Sequence, residues 1–450
     1  MAAYLRQHDL SAGVYLASAT AVGTCGGQRS LWRQELHPGK VLMNVLMLSP
    51  DAQMIDRRIL QEARTLAAAG HRIELLSGFE CRQADAYEDG PIRIKRYRYD
   101  WQDRRRAVLN DRVGRQAARY LWPPVRLLTR LSDGPNAFEA FVLEKAMEHD
   151  FDVVHVHDFP MLRCGAMAAA RRDVPLVYDS HEFYPIQSHF APEDQKRYLR
   201  QEKALVRRCA SVITVNPYIA GMMADAHGIQ PPEVILNACE PPVATAADLD
   251  AGQRRDRRIA KALPPDDFLF LYQGWLSAER NLEPMIEATA RQRDGVKLVV
   301  VGYGEYEASL HRLAAEVGAA DRVIFLGRIE NEVLSEITSL CDVGIVPYRA
   351  VDEMHRYCSP NKLFEFIAAQ IPVVASDLPY LRDIVDGYSI GWLADLEKVD
   401  AFASALAVAA TDADGMAASR TNLGRAWQEL NWVVEGEKLI RIYEGLDRGR

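Results

Sequence analysis

The chain has 450 residues, of which 48% are hydrophobic and 26% charged. That is the composition of a soluble globular protein long enough for two cores, since single cores rarely grow past about 250–300 residues. A net charge of −8 argues against a general nucleic-acid binder, and the seven cysteines show no metal-ligand or redox spacing, so they read as core or incidental thiols of a reducing compartment. No apolar run reaches the length of about 18 residues that a membrane span needs.

Residues 1–40 stand apart. Their apolar stretch 11–24 loosely resembles a signal peptide, but the preceding residues are weakly charged (Arg6, Asp9) and no clean cleavage site follows. They read as a disordered leader, or as a start codon assigned too early, rather than as an export signal.

From Val41 onward strands and helices alternate. Val41–Ser49 reads as a buried strand, Ile55–Ala69 as a helix stopped by Gly70, and Arg72–Ser77 as the next strand. Residues 93–130 then carry twelve Lys/Arg against three acids, interleaved with Trp101, Tyr120, Leu121 and Trp122. Such a segment suits an anionic membrane face or a lipid-diphosphate acceptor, and it equally suits a solvated helical face with internal salt bridges. Further strands are expected at 151–157, 175–178, 211–215 and 233–236, which predicts a parallel, doubly wound sheet.

Residues 241–260, rich in Ala, Asp, Arg and Pro without a clear period, read as a linker. A second series follows at 268–273, 296–301, 322–326, 343–346 and 371–375. The fold class is therefore α/β: two Rossmann-like domains with parallel sheets, 41–240 and 261–425, facing across a cleft, closed by a helix within 426–450. Ligands of such sheets bind beyond the carboxyl ends of the strands. Two His-acid groups fall at such ends, His157-Asp158 and Asp179-Ser180-His181-Glu182.

Residues 358–377, CSPNKLFEFIAAQIPVVASD, are the most informative stretch. Ser359 and Pro360 read as a helix start, and Lys362 and Glu365, three apart, share one helix face. Free N–H groups beside a lysine form a site for phosphate, and a carboxylate one turn on can accept from a pair of sugar hydroxyls. The apolar run after the helix is a buried strand.

The segment SPNKLFEF followed by PVVASD resembles the donor-binding segment of the retaining glycosyltransferases of family 4, which have the GT-B fold. The resemblance covers most of residues 41–446. It implies a nucleotide-diphosphate sugar as donor, with the diphosphate on Lys362 and on the loop that includes Ser359, Pro360, Asn361 and Leu363, and the ribose on Glu365. It also places Gly274 and Arg280, six residues apart after the strand 268–273, on the diphosphate. His181 falls against the donor sugar near the reacting carbon, with Asp179 and Glu182 as orienters. His157 falls either behind the site, supporting its other groups, or on the acceptor side; Asp158 falls on the acceptor side, as do Asp51 and Gln53 in the loop after the first strand. Gly302, in Gly302-Tyr303-Gly304, lines the nucleotide pocket, and Arg328 is placed on the base. The terminal helix resembles the one that crosses back to the N-terminal domain in GT-B enzymes.

Three positions depart from the family pattern: Tyr357 where many members carry a second glutamate, Trp275 where many carry arginine, and a first loop without paired glycines. The expectation is a cytoplasmic, metal-independent retaining glycosyltransferase of cell-surface polysaccharide or glycolipid assembly, without a cofactor, acting on a glycan or lipid-linked acceptor. A membrane-face contact would run through residues 93–130. The alternatives are an inactive nucleotide-sugar-binding subunit and a sugar-nucleotide epimerase.

Overall fold

The alternation of apolar strands and amphipathic helices seen in the sequence is realised throughout the computed structural model. It describes residues 42–51, 55–78, 80–98, 117, 120–121, 135–242 and 245–447. The leader 1–40, Gln53 and most of the basic segment, including Trp101, Arg104–Arg106 and Trp122, lie outside the described residues. The chain divides into two units: a smaller one through Ile55 with Ala63–Val154 and Phe159–Val174, and a larger one of Asp56–Glu62, His155–Asp158 and Pro175 onward.

The smaller unit holds β1 (Asn44–Leu48), β2 (Arg72–Ser77), β3 (Glu80–Asp89), β4 (Ile92–Arg98) and the start of β5 (Val153–His157), in the order β3-β4-β2-β1-β5. β1, β2 and β4 are parallel, with Asn44 opposite Arg72 and Ile73 opposite Ile92. β1 is buried along nearly its whole length, as a strand covered on both faces should be. The polar strand β3 was not foreseen. It pairs antiparallel with β4 across a turn at Gly90 and is fastened by Arg96, which forks onto Asp85. Lys95 lies 3.3 Å from Glu74, so the described start of the basic segment is an ion-paired strand between β3 and β2. Helix α1 (Arg57–Ala68) runs from the larger unit into the smaller, which also contains α2 (Ala137–Ala146) and α3 (Phe159–Arg172).

The larger unit continues from β5 through β6 (Leu176–Ser180), β7 (Ser211–Thr214) and β8 (Glu233–Val234), with α4 (Pro192–Val206) and α5 (Pro217–His227) between them. A second sheet follows, made of β9 (Phe268–Gln273), β10 (Val296–Val301), β11 (Val323–Gly327), β12 (Val343–Val346), β13 (Val373–Ser376) and β14 (Gly391–Ala394). Its order, β11-β10-β9-β12-β13-β14, is the 3-2-1-4-5-6 sequence of a doubly wound sheet, with its switch point between β9 and β12.

Alternate residues of β9 feed two cores, because successive side chains point to opposite faces. Leu269 and Leu271 pack with Leu340, Phe364 and Leu381, whereas Phe270 and Tyr272 pack with Met285, Leu310 and Phe402. The first face is covered by α9 (Asn331–Leu340), α11 (Asn361–Ala369) and α12 (Pro379–Tyr388), the second by α7 (Leu282–Ala290), α8 (Glu307–Glu316) and α13 (Val399–Ala409). The short α10 (Glu353–Arg356) precedes α11.

Part of the expected linker is helical. Residues 251–260 form α6 (Ala251–Ala260), started by an Asp250 capping box. The helix docks through Arg258, which donates to the Leu340 and Asp267 carbonyls and pairs with Asp342 at 2.8 Å. An arginine does the packing, so no apolar period announced it. After α14 (Ala413–Glu429), the terminal helix α15 (Trp432–Asp447) returns to residues of the segment 41–240. The Trp432 N–H donates to the Cys239 carbonyl, Glu435 accepts from the Leu236 N–H at 2.9 Å, and the Tyr443 hydroxyl meets His155 at 2.9 Å.

Two glycines set the strand ends of the second sheet. Gly302 (φ 152°) lies so close to Gly274 that a Cβ there would stand 1.9 Å from the Gly274 carbonyl oxygen. Gly302→Ala should therefore shift the β9 and β10 ends and cost about 2–4 kcal/mol, by overpacking and backbone strain together. A lower urea midpoint with a weakened ligand response is the expected measurement, and unchanged values would contradict this packing.

Candidate active site

The site gathers at the end of β9 and the start of α11. Pro360 takes the N-cap position (φ −74°, ψ 132°), so the helix begins at Asn361, a residue later than a Ser359 cap would give. The loop before it is held by two asparagines that sequence reasoning missed. Asn216 donates to the Tyr357 carbonyl and Asn237 to the Ser359 carbonyl, each at 2.8 Å. The Leu363 side chain is fully buried in the core, which leaves only its backbone for the loop's role on the diphosphate. Helical spacing put it beside Lys362 in sequence, but on the inward face of α11.

Lys362 enters a cage of aromatic rings. Its Nζ lies 4.3 Å from the Tyr272 ring centre and 5.0 Å from that of Tyr348, and the Arg280 guanidinium lies 5.0 Å from the same Tyr348 ring. Gly274 (φ 133°) leaves the space for it, since a Cβ there would stand 3.3 Å from Nζ. The structure thus brings Gly274, Arg280 and Lys362 together, as expected from the sequence. The two tyrosines had no local signal beyond an apolar strand. Burial, reinforced by the Arg280 cation, pushes the Lys362 ammonium down to about 7.

Glu365 sits one turn on. One oxygen accepts from Arg57 Nη1 at 2.5 Å and the other from Gln273 Nε2, while Gln273 is itself oriented by Thr338 at 2.9 Å. Arg57, Gln273 and Thr338 were not singled out by sequence reasoning.

A buried polar cluster lies at the ends of β5 and β6. Arg58 forks onto Asp179 with Nε and Nη2 both at 2.9 Å, and its Nη1 donates to the Ile235 carbonyl at 2.6 Å. His181 Nε2 lies 2.9 Å from Asp179 and its Nδ1 3.5 Å from Asp158, whose backbone is left-handed (φ 62°). Burial opposes the imidazolium, but Asp158 and Asp179 outweigh it and hold His181 up at about 10. His157 is buried completely, stacks on His155 at 4.6 Å and is pushed by burial down to about 4. It is therefore an interior neutral imidazole 3.5 Å from Asp179, behind the site rather than on its surface.

Glu62, His155, His157 and Asp179 bring possible ligand atoms within 4.8 Å of one another. A divalent ion does not fit them, because the Arg58 guanidinium already supplies their positive charge, 3.1 Å from Glu62 and forked on Asp179.

Among the remaining expected residues, Gly302 abuts Gly274, and Arg328 lies over the Tyr303 ring at 5.2 Å. Glu182 is a neighbour of His181 whose carboxyl is raised by burial. Asp51 belongs to the smaller unit, where its carbonyl accepts from Gly78 and Ser77.

Two parallel-sheet α/β layers, with paired cations at a strand end and a carboxylate one helical turn away, define a glycosyltransferase of the GT-B fold. Comparison with known proteins agrees. Residues 253–428 match the glycosyl transferases group 1 and residues 55–241 match glycosyltransferase family 4. The D-inositol 3-phosphate glycosyltransferase of Xylanimonas cellulosilytica is 27% identical over 68% of this chain and 76% of its own. A GDP-mannose-dependent phosphatidylinositol monomannoside mannosyltransferase of Mycobacterium tuberculosis is 30% identical over 38% of this chain and 45% of its own. The crystal structure of Anabaena HepE in complex with UDP superposes with a TM-score of 0.64 at 18% identity, over 89% of this chain and all of that one. The chain belongs to glycosyltransferase family 4.

The depressed lysine gives a pH prediction. An anionic diphosphate favours protonated Lys362, so ligand binding should take up a proton. Affinity should be flat below about pH 7 and fall up to about tenfold per unit above it, the limit for one proton. Calorimetry in buffers of different ionisation enthalpy should show this uptake at pH 8. Lys362→Arg, which stays charged, should abolish it.

Proposed function

We propose that the chain is a retaining hexosyltransferase, moving a sugar from a nucleoside-diphosphate sugar to a glycan or lipid-linked acceptor in cell-surface polysaccharide or glycolipid assembly. The reading places it in the cytoplasm. Among the described residues no helix is long and apolar enough to cross a membrane, and contact with an anionic membrane face remains part of the proposal. The observation that carries the reading is the pairing of Lys362 and Arg280 on one tyrosine ring beside Gly274. Fixed cations at that point stabilise charge that grows on a departing diphosphate, which is where such groups lower a barrier most. They take the role a metal ion has in other transferases, so the reading calls for neither metal nor cofactor.

Retention fits front-face displacement, in which the leaving phosphate takes the acceptor's proton. His181 supports this assignment. Held protonated between two carboxylates, it can orient a sugar hydroxyl or stabilise charge, but it is not a general base near neutral pH. The protein then contributes orientation and electrostatics. At Tyr357, where many relatives place a second glutamate, the ring instead stacks on Tyr218 at 4.8 Å.

Incubation with UDP-, GDP-, dTDP- and ADP-sugars and a lipid-linked acceptor tests the reading. Transfer with retained anomeric configuration is expected. Binding without turnover would indicate a non-catalytic subunit, and an isomerised donor an epimerase. Lys362→Ala and Arg280→Ala should each lower turnover on the order of 10²–10³-fold. Glu365→Ala should instead mainly weaken donor binding, because ribose contacts are shared by ground and transition states.

A further inference from the structure

Arg57 is a cation of the site that the reaction as read so far does not use. Its Nη1 sits on Glu365 at 2.5 Å while Gln273 holds the other oxygen, so both oxygens of the proposed ribose carboxylate are engaged. The Arg57 side chain is 28% exposed, and its Nε is enclosed with no hydrogen-bond partner. The side chain is therefore partly exposed, and one of its donors goes unused where it now stands.

Its neighbour Arg58 is the opposite case. Asp179, the Ile235 carbonyl and Asn237 take up its donors, which anchors the first turn of α1 whatever Arg57 does. The Arg57 backbone is thus fixed while its side chain is partly exposed.

A ribose diol brings two O–H donors to Glu365 and competes with Arg57 for the same oxygens. A guanidinium released in this way needs a new anion, and its fork matches a phosphate. The donor diphosphate already meets Lys362 and Arg280. We propose that Arg57 is a substrate-binding residue, held on Glu365 until the donor ribose displaces it and then binding a phosphate group of the acceptor. The proposal rests on the ribose role of Glu365. It implies ordered binding, donor first, and an acceptor that carries phosphate.

Calorimetry can test each link with simple probes: whichever of UDP, GDP or ADP binds tightest, together with pyrophosphate and inorganic phosphate. Arg57→Gln should bind the nucleoside diphosphate several-fold more tightly than the parent and pyrophosphate equally well, since only the former has a ribose. Parent protein saturated with nucleoside diphosphate should bind inorganic phosphate; parent saturated with pyrophosphate should not. Arg57→Gln and Arg57→Ala should lack this phosphate binding in both states, whereas Glu365→Ala should show it with pyrophosphate alone. Glucose 6-phosphate and phosphatidic-acid vesicles, each tested on the nucleotide-saturated protein, then separate a soluble from a lipid-borne phosphate.

Weaker or unchanged nucleotide affinity in Arg57→Gln would overturn the proposal, as would phosphate binding that survives both Arg57 variants. If Glu365→Ala loses nucleotide affinity while Arg57→Gln gains none, the ribose role stands and the exchange fails. Unchanged nucleotide affinity in Glu365→Ala would remove the ribose role itself.

Discussion

The buried pair of Arg58 and Asp179 is the interaction on which the site depends. One guanidinium joins the first turn of α1 to the end of β6, to the backbone after β8 and to Asn237, which in turn holds the loop before α11. A pair this deep is costly to desolvate and gains little net stability over an apolar contact of the same shape. Removing one partner, however, strands the other charge and typically costs about 3–5 kcal/mol. Its use here is positional. It fixes Asp179, and Asp179 holds His181 as a cation.

The same economy of charge governs the other end of the site. Lys362 and Arg280 are like charges brought close together, and tyrosine faces offset part of that repulsion. The lysine remains poised near neutrality instead of fully charged, so a diphosphate would complete the electrostatics. A surface lysine would give a weaker response, because water already satisfies it. Burial makes the site both costly to build and selective for an anion.

Backbone geometry allows this closeness. Gly274 and Gly302 lie where neighbouring parallel strands leave the sheet; a Cβ on Gly302 would overlap the Gly274 carbonyl, and one on Gly274 would press on Lys362. The second sheet's switch point lies beside β9, so the cations, Gln273 and Glu365 converge on one strand end. Arg57 and Arg58 show how adjacent identical residues diverge: one is consumed by the core, the other faces the substrate.

Much of this protein was legible in its sequence. Short apolar strands alternating with helices determined two parallel sheets, because strands covered on both faces must be apolar throughout. The spacing of Lys362 and Glu365 placed both on one helix face, and Gly274 with Arg280 marked the neighbouring strand end. Three kinds of feature were not legible. The polar edge strand β3 and the Arg258-docked helix α6 lack an apolar period, since ion pairs and backbone acceptors hold them. The burial of the Leu363 and His157 side chains, beside Lys362 and Asp158 in sequence, is set by which way the packed helix and strand end face. Tyr272, Tyr348, Arg57, Asn216 and Asn237 act at distances of tens to hundreds of residues along the chain. Sequence periodicity determines which face of an element is apolar. Which distant polar side chains meet, and therefore which charges are caged, paired or left poised, is decided only when the elements pack.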